Sequence, residues 1–228
     1  MSLLTFLRTL ISGPSPETMA GQLRRPSGWL ARRVGQRMNA ANRVLYDATW
    51  RTINLQPGHS VLEIGFGNGL FFPDLFQQAT DLRVSGLDFS EAMHKEATAY
   101  NRALIGGGRL QLHHGDSAAM PFADNSFDRI YCINVVYFWD NHAAHLREVK
   151  RVLRSGGTFT ATIRTKSTMQ VMPFTRYGFA MYEQSDWEAV LASNGFKLLT
   201  AERLDEPPID FEGRTYRPGS LVLVATPA

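Results

Sequence analysis

The chain predicts an α/β fold, one large domain around a mostly parallel sheet, and three observations carry that expectation. An apolar run, Val61-Leu62-Glu63-Ile64, ends in Gly65-Phe66-Gly67-Asn68-Gly69 and passes into a helical pattern, the strand–turn–helix order of a nucleotide-type site. Further short apolar runs alternate with helical patterns over residues 83–164. The last two runs, residues 196–204 and 220–226, have no helix between them. Without a crossover they must pair as a hairpin, so the final strand runs antiparallel to the others.

Composition agrees with a soluble globular chain: 228 residues, 44% hydrophobic and 20% charged, close to average usage. A single cysteine, Cys132, excludes an internal disulfide and a cysteine-cluster metal site, and it points to a reducing compartment, the cytoplasm. No metal ligand set is assigned. The formal net charge is +3, unevenly spread. Residues 1–60 carry eight arginines against Glu17 and Asp47, so the basicity belongs to the N-terminal arm. That arm could meet an acidic substrate, a nucleic acid or an anionic membrane, or it could be a solvated helix face.

Taken in order, residues 2–11 place Leu3, Phe6, Leu7 and Leu10 at helical spacing. The piece is too short to span a bilayer, which needs ~20 apolar residues. It lacks the charged start and cleavage site of a signal peptide. It reads as a small amphipathic helix, docked as a lid or making peripheral membrane contact. Gly13-Pro14-Ser15-Pro16 breaks the chain. Residues 29–38, capped by Ser27, and residues 42–55 read as two further helices, and Gln56-Pro57-Gly58 turns into the first strand. Residues 1–58 thus form an arm or lid on the domain of residues 59–228.

The glycine turn leads to a helix over 70–78. A second strand, residues 83–88, ends in Asp88, and Ser90 caps a helix over 91–104. A third strand covers 109–113 and a fourth 127–134. Asp140-Asn141 opens a helix to Leu153, and Arg154-Ser155-Gly156-Gly157 turns it into a fifth strand, 158–164. Ser185-Asp186-Trp187-Glu188 reads as a capping box opening the last helix, which stops at Asn194-Gly195.

The glycine spacing is not that of a dinucleotide fingerprint, because position 70 is Leu rather than the third glycine of G-x-G-x-x-G. With Glu63 two residues before Gly65, E-x-G-x-G-x-G resembles motif I of the class I S-adenosylmethionine (SAM)-dependent methyltransferases. Gly-x-Asp-Phe-Ser-x-x-Met at 86–93 resembles their motif II. Gly115-Asp116-Ser117 with Met120-Pro121-Phe122 resembles the family's G-D-A-x-x-L-P-F segment, with Ser for the commoner Ala. P-F-x-D-x-S-F-D at 121–128 and L-x-E-x-x-R-V-L-x-x-G-G at 146–157 resemble the small-molecule, ubiquinone-biosynthesis-like branch (methyltransferase type 11). The likeness is strong over residues 60–165, looser beyond, and says little of 1–58.

The resemblance implies a Rossmann-like three-layer sandwich with a seven-stranded sheet and a reversed last strand. It implies a SAM-dependent methyltransferase acting on a small molecule by in-line displacement at an O, N or C nucleophile. The cofactor residues it implies are Glu63, Gly65, Phe66, Gly67, Gly69, Asp88, Phe89, Met93, Asp116, Ser117 and Asn134. Asp88 follows Gly65 at about the ~20-residue offset at which an acid meets ribose hydroxyls. Ser117 is expected to act through its main-chain N–H.

Substrate contacts are expected just past the fourth strand, at Asn134, Tyr137, Phe138, Trp139 and Asp140, since ligands sit outside the carboxyl ends of such strands. No catalytic residue is assigned; Tyr137 and His114 are the candidates. Asp140 is read as a helix cap rather than a base, and His142 and His145 as surface residues. Residues 164–184, with Met169, Met172, Phe174, Phe179 and Met181, suit an adaptable pocket for a bulky, partly apolar substrate, or ordinary core filling beneath a loop. The alternatives are a macromolecular acceptor, RNA or protein, and a SAM-binding module without turnover; against a nucleic-acid acceptor, Asn134-Val135-Val136-Tyr137 is not N-P-P-Y and Cys132 lacks a Pro-Cys context.

Overall fold

A computed structural model describes residues 14–205, 208–211 and 214–228. The amphipathic piece expected at 2–11 lies outside the described residues. Seven strands form one sheet: β1 (Ser60–Ile64), β2 (Arg83–Asp88), β3 (Leu110–His114), β4 (Phe127–Ile133), β5 (Leu153–Arg164), β6 (Phe196–Asp205) and β9 (Gly219–Pro227). Their order across the sheet is β3-β2-β1-β4-β5-β9-β6. The β1–β2, β1–β4, β2–β3 and β4–β5 pairs are parallel. β9 inserts antiparallel between β5 and β6, the reversed strand expected from the missing crossover helix. A small ribbon, β7 (Ile209–Phe211) with β8 (Arg214–Tyr216), decorates that hairpin.

Strand alternation sends side chains to two separate cores, and this makes the three layers. Leu62, Ile64, Ile130 and Cys132 face a core filled by Leu146, Val149 and Val152 of α6 (His142–Val152) and by Trp187 and Leu191 of α8 (Gln184–Ser193). Val61, Tyr131 and Ile133 face the other core. There Leu45, Tyr46 and Trp50 of α2 (Ala31–Thr52) pack beside Phe72 and Leu75 of α3 (Phe72–Leu75) and Ala97 of α4 (Glu91–Tyr100). Burying a Leu or Phe side chain in this way contributes about 1.5–3 kcal/mol each. Before α2, α1 (Pro16–Arg24) is capped by Ser15, whose hydroxyl accepts from Thr18 N. Met19 and Ala20 root α1 in the first core.

Several boundaries differ from the sequence expectation, each for a physical reason. The two helices read at 29–38 and 42–55 are one 22-residue helix. Asparagine is a weak helix former when it bonds its own backbone, but Asn39 donates to Asn68 Oδ1 (3.0 Å) and Asn42 accepts from Asn134 Nδ2 (3.0 Å). Tertiary partners therefore hold the helix through the expected break. The helix read at 70–78 shrinks to α3, one turn with a proline in it. The helix after Ser90 divides at Asn101 into α4 and α5 (Arg102–Gly106), because Asn101 Nδ2 turns back to Gly69 O and Ala97 O. In α6 the cap is Asn141, accepting from Ala144 N, and not Asp140. The last helix is capped by Glu183, with Asp186 Oδ2 accepting from Glu183 N, so the box begins before Ser185.

Candidate active site

The carboxyl ends of β1, β2, β3 and β4 converge on a cavity of ≈ 180 Å³. β1 delivers Gly65 and Gly67, β2 Asp88 and Phe89, β3 Gly115, Asp116 and Ser117, and β4 Asn134. All three glycines of the first turn, Gly65, Gly67 and Gly69, have left-handed backbone, φ +76°, +58° and +68°. At Gly67 an added Cβ would point into space with nothing within 4 Å. The backbone there stands open to a ligand, which is what a glycine cradle requires.

Asp88 organises the turn. Its Oδ2 accepts from Gly67 N and its Oδ1 from Ser90 N, both at 2.8 Å. Burial pushes the carboxyl up to about 6, although those two N–H groups favour the ionised form. Beside it Phe89 is 46% exposed with the Arg25 guanidinium 4.4 Å over its ring. Asp116 Oδ1 accepts from Ala118 N, and Ser117 Oγ lies 2.8 Å from His145 Nδ1.

His145 was not legible as a site residue. It is buried, stacks on Trp139 at 4.7 Å and 4°, and lines the cavity. Burial lowers its pKa against the pull of Asp116 and Asp140. The surface reading of His145 therefore fails, because α6 turns this residue inward with Leu146 and Val149. Leu23 and Arg24 at the end of α1, and Met38 of α2, complete the wall. Nothing in their spacing marks them, since they arrive from the arm.

Four of the residues that resemblance assigned to the cofactor do not line this cavity. Glu63 is buried between two phenols, accepting from Tyr46 OH (2.6 Å) and Tyr131 OH (2.8 Å). Burial pushes it up to about 7. It ties β1, β4 and α2 together from the opposite face. Phe66 packs on Phe72 in the second core and presses on Gly86, where a Cβ would sit 2.6 Å from its ring. Gly69 is needed for Ala97 and Asn101, each 2.8 Å from its notional Cβ. Met93 is a buried anchor of α4. Neither catalytic candidate lines this cavity. His114 is exposed, its Nε2 3.2 Å from Phe89 O. Tyr137 OH is held by Asn134 Oδ1 (2.9 Å) and the Arg164 backbone, and burial raises its pKa far above neutrality. A phenol so fixed positions Asn134.

Asn134 has φ +58°, a conformation Asn tolerates better than most residues. Its amide is locked between Asn42 and Tyr137. Together with Leu23, Met38 and Phe138, it also borders a second, apolar cavity of ≈ 70 Å³. Tyr137, Met169, Met172, Phe174 and Phe179 wall that cavity, and no histidine or carboxylate lines it among the described residues. Phe138 and Phe179 pack edge-on at 4.7 Å. Both readings of 164–184 find a counterpart at α7 (Lys166–Met169) and the turn that follows, since Met169, Met172 and Phe174 belong to the first core and also wall this cavity.

A seven-stranded sheet with a reversed strand, a glycine cradle at its switch point and a buried acid one strand away define a class I SAM-dependent methyltransferase of the small-molecule type. Its cofactor is SAM. Residues 62–161 match the family model described as a methyltransferase domain. The uncharacterized methyltransferase YdaC of Bacillus subtilis is 26% identical over 161 residues, 69% of this chain and 87% of that one. A demethylmenaquinone methyltransferase of Symbiobacterium thermophilum is 27% identical over 199 residues, 81% of this chain and 76% of that one. Among solved structures, a chain in the complex of the Haloferax volcanii Trm112 methyltransferase activator with a methyltransferase superposes with a TM-score of 0.75. It is 20% identical and covers 87% of this chain and 94% of that chain. Among the described residues no helix is long and apolar enough to cross a membrane.

Proposed function

We propose that the enzyme methylates a largely apolar small molecule at an atom that ionises easily, such as a phenol, an enol or a carboxylate. The observation that carries this reading is the junction of the two cavities. Leu23, Met38, Asn134 and Phe138 belong to both, so a cofactor in the polar cavity and an acceptor in the apolar one face each other across them. In-line displacement needs such opposed approach along one axis. SAM supplies a methyl on a positively charged sulfur. The chain's work is to place and to dry the site.

In this reading Gly65, Gly67 and Asp88 hold the ribose end, and Phe89, Asp116 and Ser117 the adenine. Asn134, fixed on both sides, faces the amino-acid end. The apolar wall excludes water from the reacting pair. With no histidine or carboxylate on that wall, proton removal falls to the acceptor's own acidity, and that selects phenols, enols or acids over unactivated alcohols. The likeness to a demethylmenaquinone methyltransferase supports an apolar ring as the acceptor class.

Labelled SAM offered with hydroxylated aromatic rings, long-chain acids, peptides and tRNA tests the proposal. Turnover is expected with apolar phenols or acids. Phe179→Ala should raise KM for the acceptor at least tenfold and leave SAM affinity within twofold. Methylation of tRNA or peptide alone would refute the small, apolar acceptor.

A further inference from the structure

We infer that the arm carries a docking face for an anionic phospholipid surface, centred on Trp29 and on Arg25, Arg32, Arg33 and Arg37, beside the mouth of the active site. Trp29 is 77% exposed, the most exposed of the large apolar side chains among the described residues. Its three fellow tryptophans, Trp50, Trp139 and Trp187, are all buried. Trp29, Arg33 and Arg37 follow at four-residue steps from the short 3-10 turn (Gly28–Leu30) into α2, and the Arg33 guanidinium sits 5.9 Å from the Trp29 ring. Arg25, Arg32 and Arg33 are exposed and Arg37 is half-buried. None of these arginines makes an ion pair among the described residues. By contrast Arg43, further along α2, is tied to Asp47 and Asp74.

Charge alone would fit any polyanion. The indole decides for a lipid surface, because an aromatic with one apolar body and one polar N–H settles at the headgroup level, where neighbouring arginines meet phosphates. Position agrees. Arg25 lies over Phe89, which lines the cofactor cavity, and Pro26 O accepts from the Ser90 hydroxyl, so this stretch of the arm is pinned to the end of β2. Just before it Leu23 lines both cavities. A membrane against Trp29 would therefore lie next to the opening through which an apolar acceptor enters. The inference goes beyond the proposed function, since surface binding can be measured with no acceptor present.

The test uses the full chain and vesicles of phosphatidylcholine, with or without 30 mol% phosphatidylglycerol (about one lipid in three, a strongly anionic surface). Sedimentation with the anionic vesicles at physiological salt is expected, with weaker binding to neutral ones. A blue shift of tryptophan emission should accompany it and vanish in Trp29→Phe, the other indoles being buried already. Each arginine near such a surface contributes about fivefold in partition, so the double variant R32Q/R33Q should bind roughly thirtyfold less. SAM affinity should be unchanged in that variant, which shows it is folded. Absence of binding, equal binding to neutral vesicles, or displacement by single-stranded RNA at lower concentration would overturn the inference.

Discussion

Replacing Asp88 by Asn asks whether the turn after β2 binds the cofactor through a charge. The carboxylate accepts from Gly67 N and Ser90 N and lines the polar cavity, yet burial holds its proton on up to about 6. Ribose hydroxyls can only donate to it, so binding selects the ionised form. With its pKa at about 6, about one carboxyl in eleven is ionised at pH 5 and about ten in eleven at pH 7. SAM affinity therefore rises with pH, by about tenfold or roughly 1.4 kcal/mol between pH 5 and pH 7. Calorimetric titration with SAM at both pH values should show this slope in the native enzyme. In Asp88→Asn the slope should vanish, with affinity at pH 7 at least tenfold weaker. The amide leaves one backbone N–H facing its own NH2, a cost of about 1–3 kcal/mol in stability, and a melting curve registers it separately. A native enzyme with the same affinity at both pH values, or a variant that keeps the slope, would refute the reasoning. In the second case another titratable group lining the cavity, such as His145 of α6, would be its source.

Glu63→Gln should change how stability depends on pH. Burial raises the folded-state pKa from 4.5 to about 7, so the stability this group contributes is full below about 4.5 and is lost as pH rises through 7. Urea titrations at pH 5 and pH 8 should show the variant gaining on the native protein by roughly 3 kcal/mol at most, since a tenfold change in proton affinity corresponds to about 1.4 kcal/mol. A difference independent of pH would show that Glu63 titrates alike in the folded and unfolded chain. Gly65→Ala meets Val135 Cγ2 at 2.3 Å with φ +76°, and loss of about 2–4 kcal/mol is expected from the strained backbone and overpacking together. Gly67→Ala meets nothing, so a smaller stability loss with weaker SAM binding is expected, measured by melting and calorimetry on the same sample. Ser117→Ala removes the hydroxyl beside His145 Nδ1, and a shift of that imidazole's titration, followed by NMR, should result.

The sheet was readable from the chain because its signals are local. β2 begins and ends where the apolar run does, and β1, β3, β4 and β9 deviate by a residue or so at an end. Asp88, Gly65, Gly67 and Asn134 reach one cavity for the same reason: each lies at or just past the end of a strand, and the parallel register brings strand ends to one place. Glu63 misled because sequence proximity to a glycine turn does not say which face of β1 a side chain takes. Its neighbours Leu62 and Ile64 point into the first core, so residue 63 goes to the other side, where Tyr46 and Tyr131 receive it. His145 misled in the opposite sense. One residue before Leu146, it sits at the rim of the buried stripe of α6, and no pattern of apolar spacing distinguishes a rim histidine that faces solvent from one that stacks on Trp139.

The second cavity, where we place the acceptor, was the least legible, and the reason lies in how it is assembled. Its polar fixing point, Asn134, is held by Asn42 from α2, ninety-two positions earlier, and by Tyr137 three positions later. Its apolar wall joins Leu23 and Met38 from the arm to Met169, Met172 and Phe179 from the connection after β5. Such contacts between segments remote in sequence leave no motif. Asparagines at 39 and 42 look like a helix stop, and only the folded chain shows Asn39 bonded to Asn68 beside the glycine turn and Asn42 bonded to Asn134. α2 therefore touches the glycine turn with one asparagine and the wall of the second cavity with the other, one helical turn apart. A change in the arm should accordingly reach both ligands: Asn42→Ala frees the Asn134 amide and Tyr137 loses a fixed partner, so acceptor KM is expected to rise several-fold. Asn39→Ala, acting one turn earlier, is expected to weaken SAM binding instead. Steady-state kinetics on the two variants separates these effects, and identical changes in both parameters for both variants would show that α2 acts only as a packing layer.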